Sequence, residues 1–477
     1  MLLNLTASPW ATSGLILALL AVRMAYVRTV RFHHRDAVEK RFEGKYALSK
    51  EDEKRGLKRM NKSGLRGVRD AQYIFRNMSA LEQPFVTLKS LEFSLFKTYG
   101  IPSISKILLR TGQFVHSDKA SRRYADTAVL IAAFFTYALP ALDLDKNDVG
   151  RAGEDELWPD ADDPRSAIAF ARINFLHRRA DALHGPHGAP ISNDDMLYTL
   201  STFMLEPVLW YKKAGWRDAT PLEAEALFTV FYHSGRCLNI KDIPDTLEAM
   251  KVWAESYEQE HMVFAPQNHE VAVETIHLLL YHVPRALRAP FFPIIASLLS
   301  DRLRKAFGLA TPTAWVSSST SLALRAVGTF VLLFCAPRSI PKTLLPLGTD
   351  NILDGSVDMG VCPASGAKAA DGRVCPVGGE EKARKASKPR SYPNWVENEP
   401  IYMPSAAPGS LRYLWERAFV APENRYGARR FTAAGKQGYR IEEAGPRGLE
   451  NAGQKEVLVE AERIHGGPIR GKWAFEA

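Results

Sequence analysis

In the segment SRRYADTAVLI, Arg123 and Thr127 stand four residues apart, which puts a guanidinium and a hydroxyl on one face of a predicted helix. Arg122 and Asp126 share that spacing on the neighbouring face, where they can pair. In AIAFARINFLHRRADAL, His177 falls on a stripe with Phe170, Ile173 and Ala180. A neutral imidazole there can bind a metal, and a guanidinium can pair with an acidic group or polarise bound oxygen. Periodicity leaves the other reading open, because a histidine on an apolar helical face is most often a satisfied core residue. Two Glu-x-x-His pairs, Glu258/His261 and Glu274/His277, carry the spacing used in di-iron carboxylate bundles. They lie only 16 residues apart across Pro266 and Asn268, and Glu206 is the one obvious further buried carboxylate. Surface charge at helix ends competes with the di-iron reading. The chain has no G-x-G-x-x-G after a strand, G-x-x-x-x-G-K-[ST], H-E-x-x-H or G-x-S-x-G. Nucleotide-binding, zincin and α/β-hydrolase chemistry therefore lack support.

Helices must position these side chains. Ser121 to Leu139 is an apolar helical run stopped by Pro140, and Pro164 to Leu183 opens with Asp163 as cap and Pro164 at the first position. Asn193 to Trp210 follows, then Pro221 to Gly235, with Thr220 as cap and Glu223 three residues on. Asp245 to Met262, His269 to His282 and Phe291 to Phe307 complete the set. Alternation with a period of two is scarce, so the expected class is all-α. Pro290 to Ser300 and Ala323 to Ala336 are apolar but too short to span a bilayer. Core helix is the default expectation for both, with a monotopic membrane contact as the alternative.

The first 22 residues carry no charge, and Pro9 to Val27 is a 19-residue stretch holding only Arg23. At about 1.5 Å per residue such a helix approaches the thickness of a bilayer core. No basic segment precedes it, which disfavours a cleaved signal peptide. From Arg23 to Arg69 there are 15 Lys and Arg against six acids, an excess equal to the net +9 of all 477 residues. The basicity is thus juxtamembrane. It fits an anionic cytosolic leaflet rather than a nucleic-acid groove and puts the chain after Arg23 in the cytosol. Four scattered cysteines without a C-x-x-C pair indicate thiols in a reducing compartment. The expected organisation is a transmembrane anchor over 1–28 and a basic segment over 29–80, with a body from 81 to 347. A flexible linker over 348–390, rich in Gly, Ala, Lys and Pro, and an irregular C-terminal appendage over 391–477 follow.

Several stretches taken together resemble the fungal mpaB-type membrane-bound oxygenases, which are related to the bacterial latex-clearing rubber oxygenases. They are PFVTLKSLEFSLFKTYGIPSISKIL, SRRYADTAVLI, AIAFARINFLH, ISNDDMLYTLSTFMLEPVLW and GWRDATPLEAEALF, spread between about Pro84 and Pro346. The resemblance implies an all-helical fold holding haem b, with O₂ as oxidant and oxidative cleavage of a C=C bond in an isoprenoid chain. By motif, His177 is similar to the proximal haem ligand, and Arg123 and Thr127 to the pair that lines the haem site. Asp126 stands where the rubber enzymes have a lysine that can cap the iron, so that function does not carry over. The RTGQFVHS region has no acid to match the glutamate proposed there as base.

The leading expectation is a membrane-bound haem oxygenase of terpenoid or meroterpenoid metabolism. It would be a single-pass protein of the endoplasmic reticulum with a cytosolic catalytic domain and a lipophilic, isoprenoid-bearing substrate. A di-iron oxygenase and a non-enzymatic, membrane-tethered lipid-binding scaffold are the competing expectations.

Overall fold

A computed structural model describes residues 9–112, 117–149, 162–182, 190–346, 352–353, 390–391, 408–419, 438–446, 448–470 and 473. The described fold is all-α, as expected. Helix α1 (Pro9–Val30) is apolar and stands clear of the body along most of its length. It leads into α2 (His33–Phe42), α3 (Lys50–Lys54) and α4 (Gly64–Arg76). Helices α2 and α4, and the turns between them, bring side chains from ahead of residue 81 into the core. Val38, Phe42, Tyr46, Met60, Leu65, Val68, Ile74 and Phe75 are all buried in the core. The charged residues around them hide a helical stripe that spacing alone would have shown. Some of those charges are themselves folded in. Buried Arg59 reaches Glu225 at 2.9 Å, and Lys45 reaches Asp70 at 2.5 Å.

The centre of the body is built from α5 (Pro84–Thr98), α6 (Pro102–Arg110), α7 (Ser117–Thr136), α8 (Arg165–Ala182), α9 (Asn193–Ala214) and α10 (Pro221–Cys237). Prolines in the first turn open α5, α6 and α10, where a missing N–H costs nothing. Thr220 and Glu223 form the expected reciprocal cap of α10. Helices α5 and α9 run antiparallel, since Thr87 meets the Tyr211 hydroxyl at 2.6 Å and Ser94 donates to the Thr202 carbonyl at 3.0 Å. Phe134 of α7 stacks on Phe170 of α8 with centroids 4.0 Å apart.

Helices α11 (Leu247–His261), α12 (Pro266–Leu279), α13 (Phe292–Leu298) and α14 (Asp301–Phe307) close the far side. Helix α15 (Ala314–Phe334) corrects one expectation. The apolar run from Ala323 extends backwards through four Ser and one Thr over 317–321 to a cap at Thr313, so that the helix has 21 residues. It is not a core helix, because Gly328 is its single buried residue.

The expected linker over 348–390 lies outside the described residues except for β1 (Ile352–Leu353) and Arg390, which opens β2 (Arg390–Ser391). These two-residue strands pair antiparallel. Helix α16 (Leu411–Phe419) and helix α17 (Gln454–His465) follow. The segment around α17 packs into the body. Tyr439, Ile441, Val457, Ala461, Ile464 and Ile469 join the core, and α17 lies along α8. Arg172 of α8, fully buried, donates to the carbonyls of Ala444 (2.9 Å), Leu449 (2.7 Å) and Ala452 (3.0 Å). Gly453 has φ +68°, and a Cβ there would lie 2.0 Å from the Phe175 ring, so only glycine fits this entry to α17.

Candidate functional site

The Phe134–Phe170 stack fixes how α7 and α8 are rotated against each other. Thr127 lies two turns before Phe134, and His177 two turns after Phe170. Both residues, with Arg123 one further turn along α7, line a single cavity of about 260 Å³. The walls come from α5 to α10 and are mostly apolar, with Leu95, Ile104, Leu108, Leu130, Ile131, Phe134, Ile173, Leu176, Met196 and Phe203 among them. The three residues singled out by sequence spacing are thus brought to one space.

Their electrostatics are set by that space. Burial pushes the His177 imidazole down to about 4, and the neighbouring Arg123 guanidinium pushes it the same way, against a weaker opposing pull from Asp181. The ring is therefore neutral near pH 7. Among the described residues, neither His177, Arg123 nor Thr127 makes a hydrogen bond or ion pair. An unshared imidazole lone pair can be given to a metal. A guanidinium without a protein partner can hold a carboxylate. Apolar walls around both accept a flat or chain-like hydrophobic group.

Asp126 faces elsewhere. It is buried, it pairs with Arg122 at 3.6 Å as its spacing predicts, and Arg122 also reaches Glu450 of the C-terminal segment at 3.0 Å. Helical spacing does not single out Asp195, which is the one carboxylate among the lining residues. Its Oδ1 accepts from Ser103 at 2.7 Å and from the Tyr257 hydroxyl at 3.0 Å. The available signal was its place in the first turn of α9, behind the Ser192 cap in ISNDD.

The Glu-x-x-His pairs do not meet. Glu206 and Glu258 converge on the Lys97 ammonium, at 2.9 and 2.7 Å, and Arg302 approaches Glu258 at 3.4 Å. His261 packs its ring on Tyr257, and His277 packs on Phe292. Carboxylates neutralised by lysine and arginine do not form a di-iron site. Among the described residues no group of three or more His, Cys, Asp or Glu is placed to share a metal.

Comparison with known proteins matches residues 106–332 to the catalytic-domain model described as ER-bound oxygenase mpaB/B'/Rubber oxygenase. That range contains Arg123, Thr127, His177 and Asp195. The ER-bound oxygenase mpaB' of Penicillium brevicompactum is 33% identical over 280 residues, covering 56% of this chain and 60% of that protein. The ER-bound oxygenase mpaB of Penicillium roqueforti (strain FM164) is 31% identical over 249 residues, covering 50% of this chain and 74% of the relative. The mpaB of P. brevicompactum is 32% identical over 245 residues, covering 49% and 56%. The matched stretch thus spans less than two thirds of the length of both P. brevicompactum proteins. With an all-helical fold around one apolar cavity and relatives of this similarity, the chain belongs to the mpaB and rubber oxygenase family.

Proposed function

We propose that this protein is an O₂-dependent oxygenase that holds a b-type haem and cleaves a C=C bond in the isoprenoid chain of a terpenoid or meroterpenoid. It works at the cytosolic face of the endoplasmic reticulum, with α1 crossing the membrane once. The observation that carries this reading is the convergence of His177, Arg123 and Thr127, none with a hydrogen-bond or ion-pair partner among the described residues, on one apolar cavity.

The donor set fits the cofactor. His177 would hold the iron through a neutral ring nitrogen, Arg123 would pair with a propionate, and the aliphatic walls would accept the apolar macrocycle. When bound, haem supplies the O₂ chemistry that amino-acid side chains lack. The chain's own residues do the rest. Arg123 and Thr127 bring donors into an otherwise mostly apolar lining, so they would orient polar atoms in the cavity. Leu, Ile and Phe side chains exclude water and receive an alkene chain. Asp195, anchored through Oδ1 by Ser103 and Tyr257, is the carboxylate that can take and return a proton.

The test is the visible spectrum of the full chain purified in detergent after haem supply. A Soret band is expected, and His177→Ala should lose it while keeping its helical circular dichroism. An iron-free, colourless wild-type protein would sink the haem reading. If that protein still bound isoprenoids, it would be a lipid-binding scaffold on the same fold.

A further inference from the structure

Helix α15 is built inside out. Gly328 seats it on the body, where a Cβ would come within 2.7 Å of the Gly215 carbonyl oxygen. The opposite side carries Trp315, Leu322, Ala326 and Phe330, spaced seven, four and four residues apart. Three of these large side chains are 77%, 69% and 58% exposed (Trp315, Leu322 and Phe330). Ser319 shares that side, and its hydroxyl is already spent on the Val316 carbonyl. Arg325 is the single charged residue in the 21. The helix has the length and hydropathy of a membrane segment, with 6% of its apolar window buried. A water-facing surface of this kind is costly, at about 25 cal/mol for each Å² of apolar area left in water.

The surroundings identify what covers it. α15 packs against α13 and α9, whose Ile294 and Leu209 are also exposed, as is Phe291 just ahead of α13, and these extend the apolar surface. Its C-terminal end meets α1, where Arg23 donates to the Phe334 carbonyl at 3.0 Å and Arg31 to the Cys335 carbonyl at 3.4 Å. The apolar surface is therefore continuous with the candidate span α1. Arg23 and Arg31 lie at this junction, with Arg338 close by, since the His34 ring meets the Arg338 carbonyl at 2.8 Å; Asp36, paired with Arg35, and Glu82 are the nearby acids. An apolar face edged by cations matches a bilayer with anionic headgroups and not the surface of a soluble partner.

We propose that the outward face of α15 lies in the cytosolic leaflet as a second, monotopic membrane contact beside α1, with Trp315, Leu322 and Phe330 among the acyl chains. The continuity argument rests on α1 being membrane-bound, so the experiment reads the two helices separately. Nitroxide labels are placed one at a time in the full chain, at Leu17→Cys in α1, Leu322→Cys in α15 and the exposed Val252→Cys in α11, with the accessible native cysteines changed to Ser. The protein is reconstituted in vesicles of phosphatidylcholine with a minority of phosphatidylserine. Collisions with oxygen and with a water-soluble nickel chelate are then measured. The expected result is loss of nickel accessibility with high oxygen accessibility at 17 and 322, and the reverse at 252. Position 322 as nickel-accessible as 252, with 17 in lipid, would overturn the α15 contact and leave the anchor standing. Position 322 in lipid and 17 in water would uphold α15 and remove the anchor. Low collision rates with both reagents at 322 would mean that protein covers this face, which also overturns the proposal.

Discussion

At the scale of single residues, a neutral histidine defines the site and a second one gives a stability handle. His233 is fully buried, its Nε2 lies 2.8 Å from the Pro140 carbonyl, and burial pushes it down to about 4. In the unfolded chain the same imidazole protonates near 6.5. Between those values the unfolded state binds more protons, so stability falls as pH drops from about 6.5 towards 4 and is flat above about 7. The full effect is on the order of 3 kcal/mol for His233. Urea midpoints across that range read this contribution as a difference: His233→Gln should lose less stability than wild type between about pH 6.5 and 4, at a lower absolute stability, while the contributions of His177 and, with opposite sign, Glu225 remain in both proteins. Intervals of four and seven residues placed Arg123, Thr127 and His177 on helix faces in the sequence, and the family resemblance, not the spacing, joined the three into one candidate site. Asp195 was not, because its partners Ser103 and Tyr257 come from α6 and α11, and no spacing within one segment encodes that meeting.

Among the elements, the contact that most affects the site is α17 on α8, the helix that carries His177. Arg172 loses three carbonyl acceptors if it is truncated, and the carbonyls lose their donor. Arg172→Met is expected to cost about 3–5 kcal/mol and to release residues 438–470 to limited proteolysis. Gly453→Ala should also destabilise, by about 1–3 kcal/mol or more, because its Cβ meets Phe175 in a left-handed backbone. Denaturant midpoints check both, and an unchanged midpoint in either would contradict the packing. Helix ends were readable where a cap and a proline coincide, as at Thr220–Pro221. The extent of α15 was not, because the Ser317–Ser321 stretch interrupts the apolar run while its backbone stays helical. Nor did any local pattern show that a segment near residue 455 would cover a helix near residue 172.

Taken whole, the molecule absorbs part of its basic N-terminal region into the body instead of leaving it as an arm. Arg59 is 4% exposed and links Glu53 and Glu225, and burial pushes the Glu225 carboxyl up to about 7 despite the guanidinium beside it. Arg59→Ala is expected to destabilise the fold by about 3–5 kcal/mol, since it strands a buried acid. The double change Arg59→Met with Glu225→Met should recover much of that loss, read from thermal melts at one pH. A single change that leaves the melting temperature unaltered would show that the pair does not hold the segment. The charge count located the excess correctly. It could not tell paired cations from free ones, because pairing depends on which distant acid the fold delivers.

The packing of residues 438–470 on α8 also sets an order of events during synthesis. α1 leaves the ribosome first and can enter a membrane while the rest is still being made. α8 follows some 140 residues later in the chain, with Arg172 lacking its acceptors until residue 452 has emerged. For that interval the His177-bearing helix is uncovered on its outer side. A chain stopped short of residue 440 would accordingly carry a complete set of cavity-lining residues on an α8 that lacks its outer support.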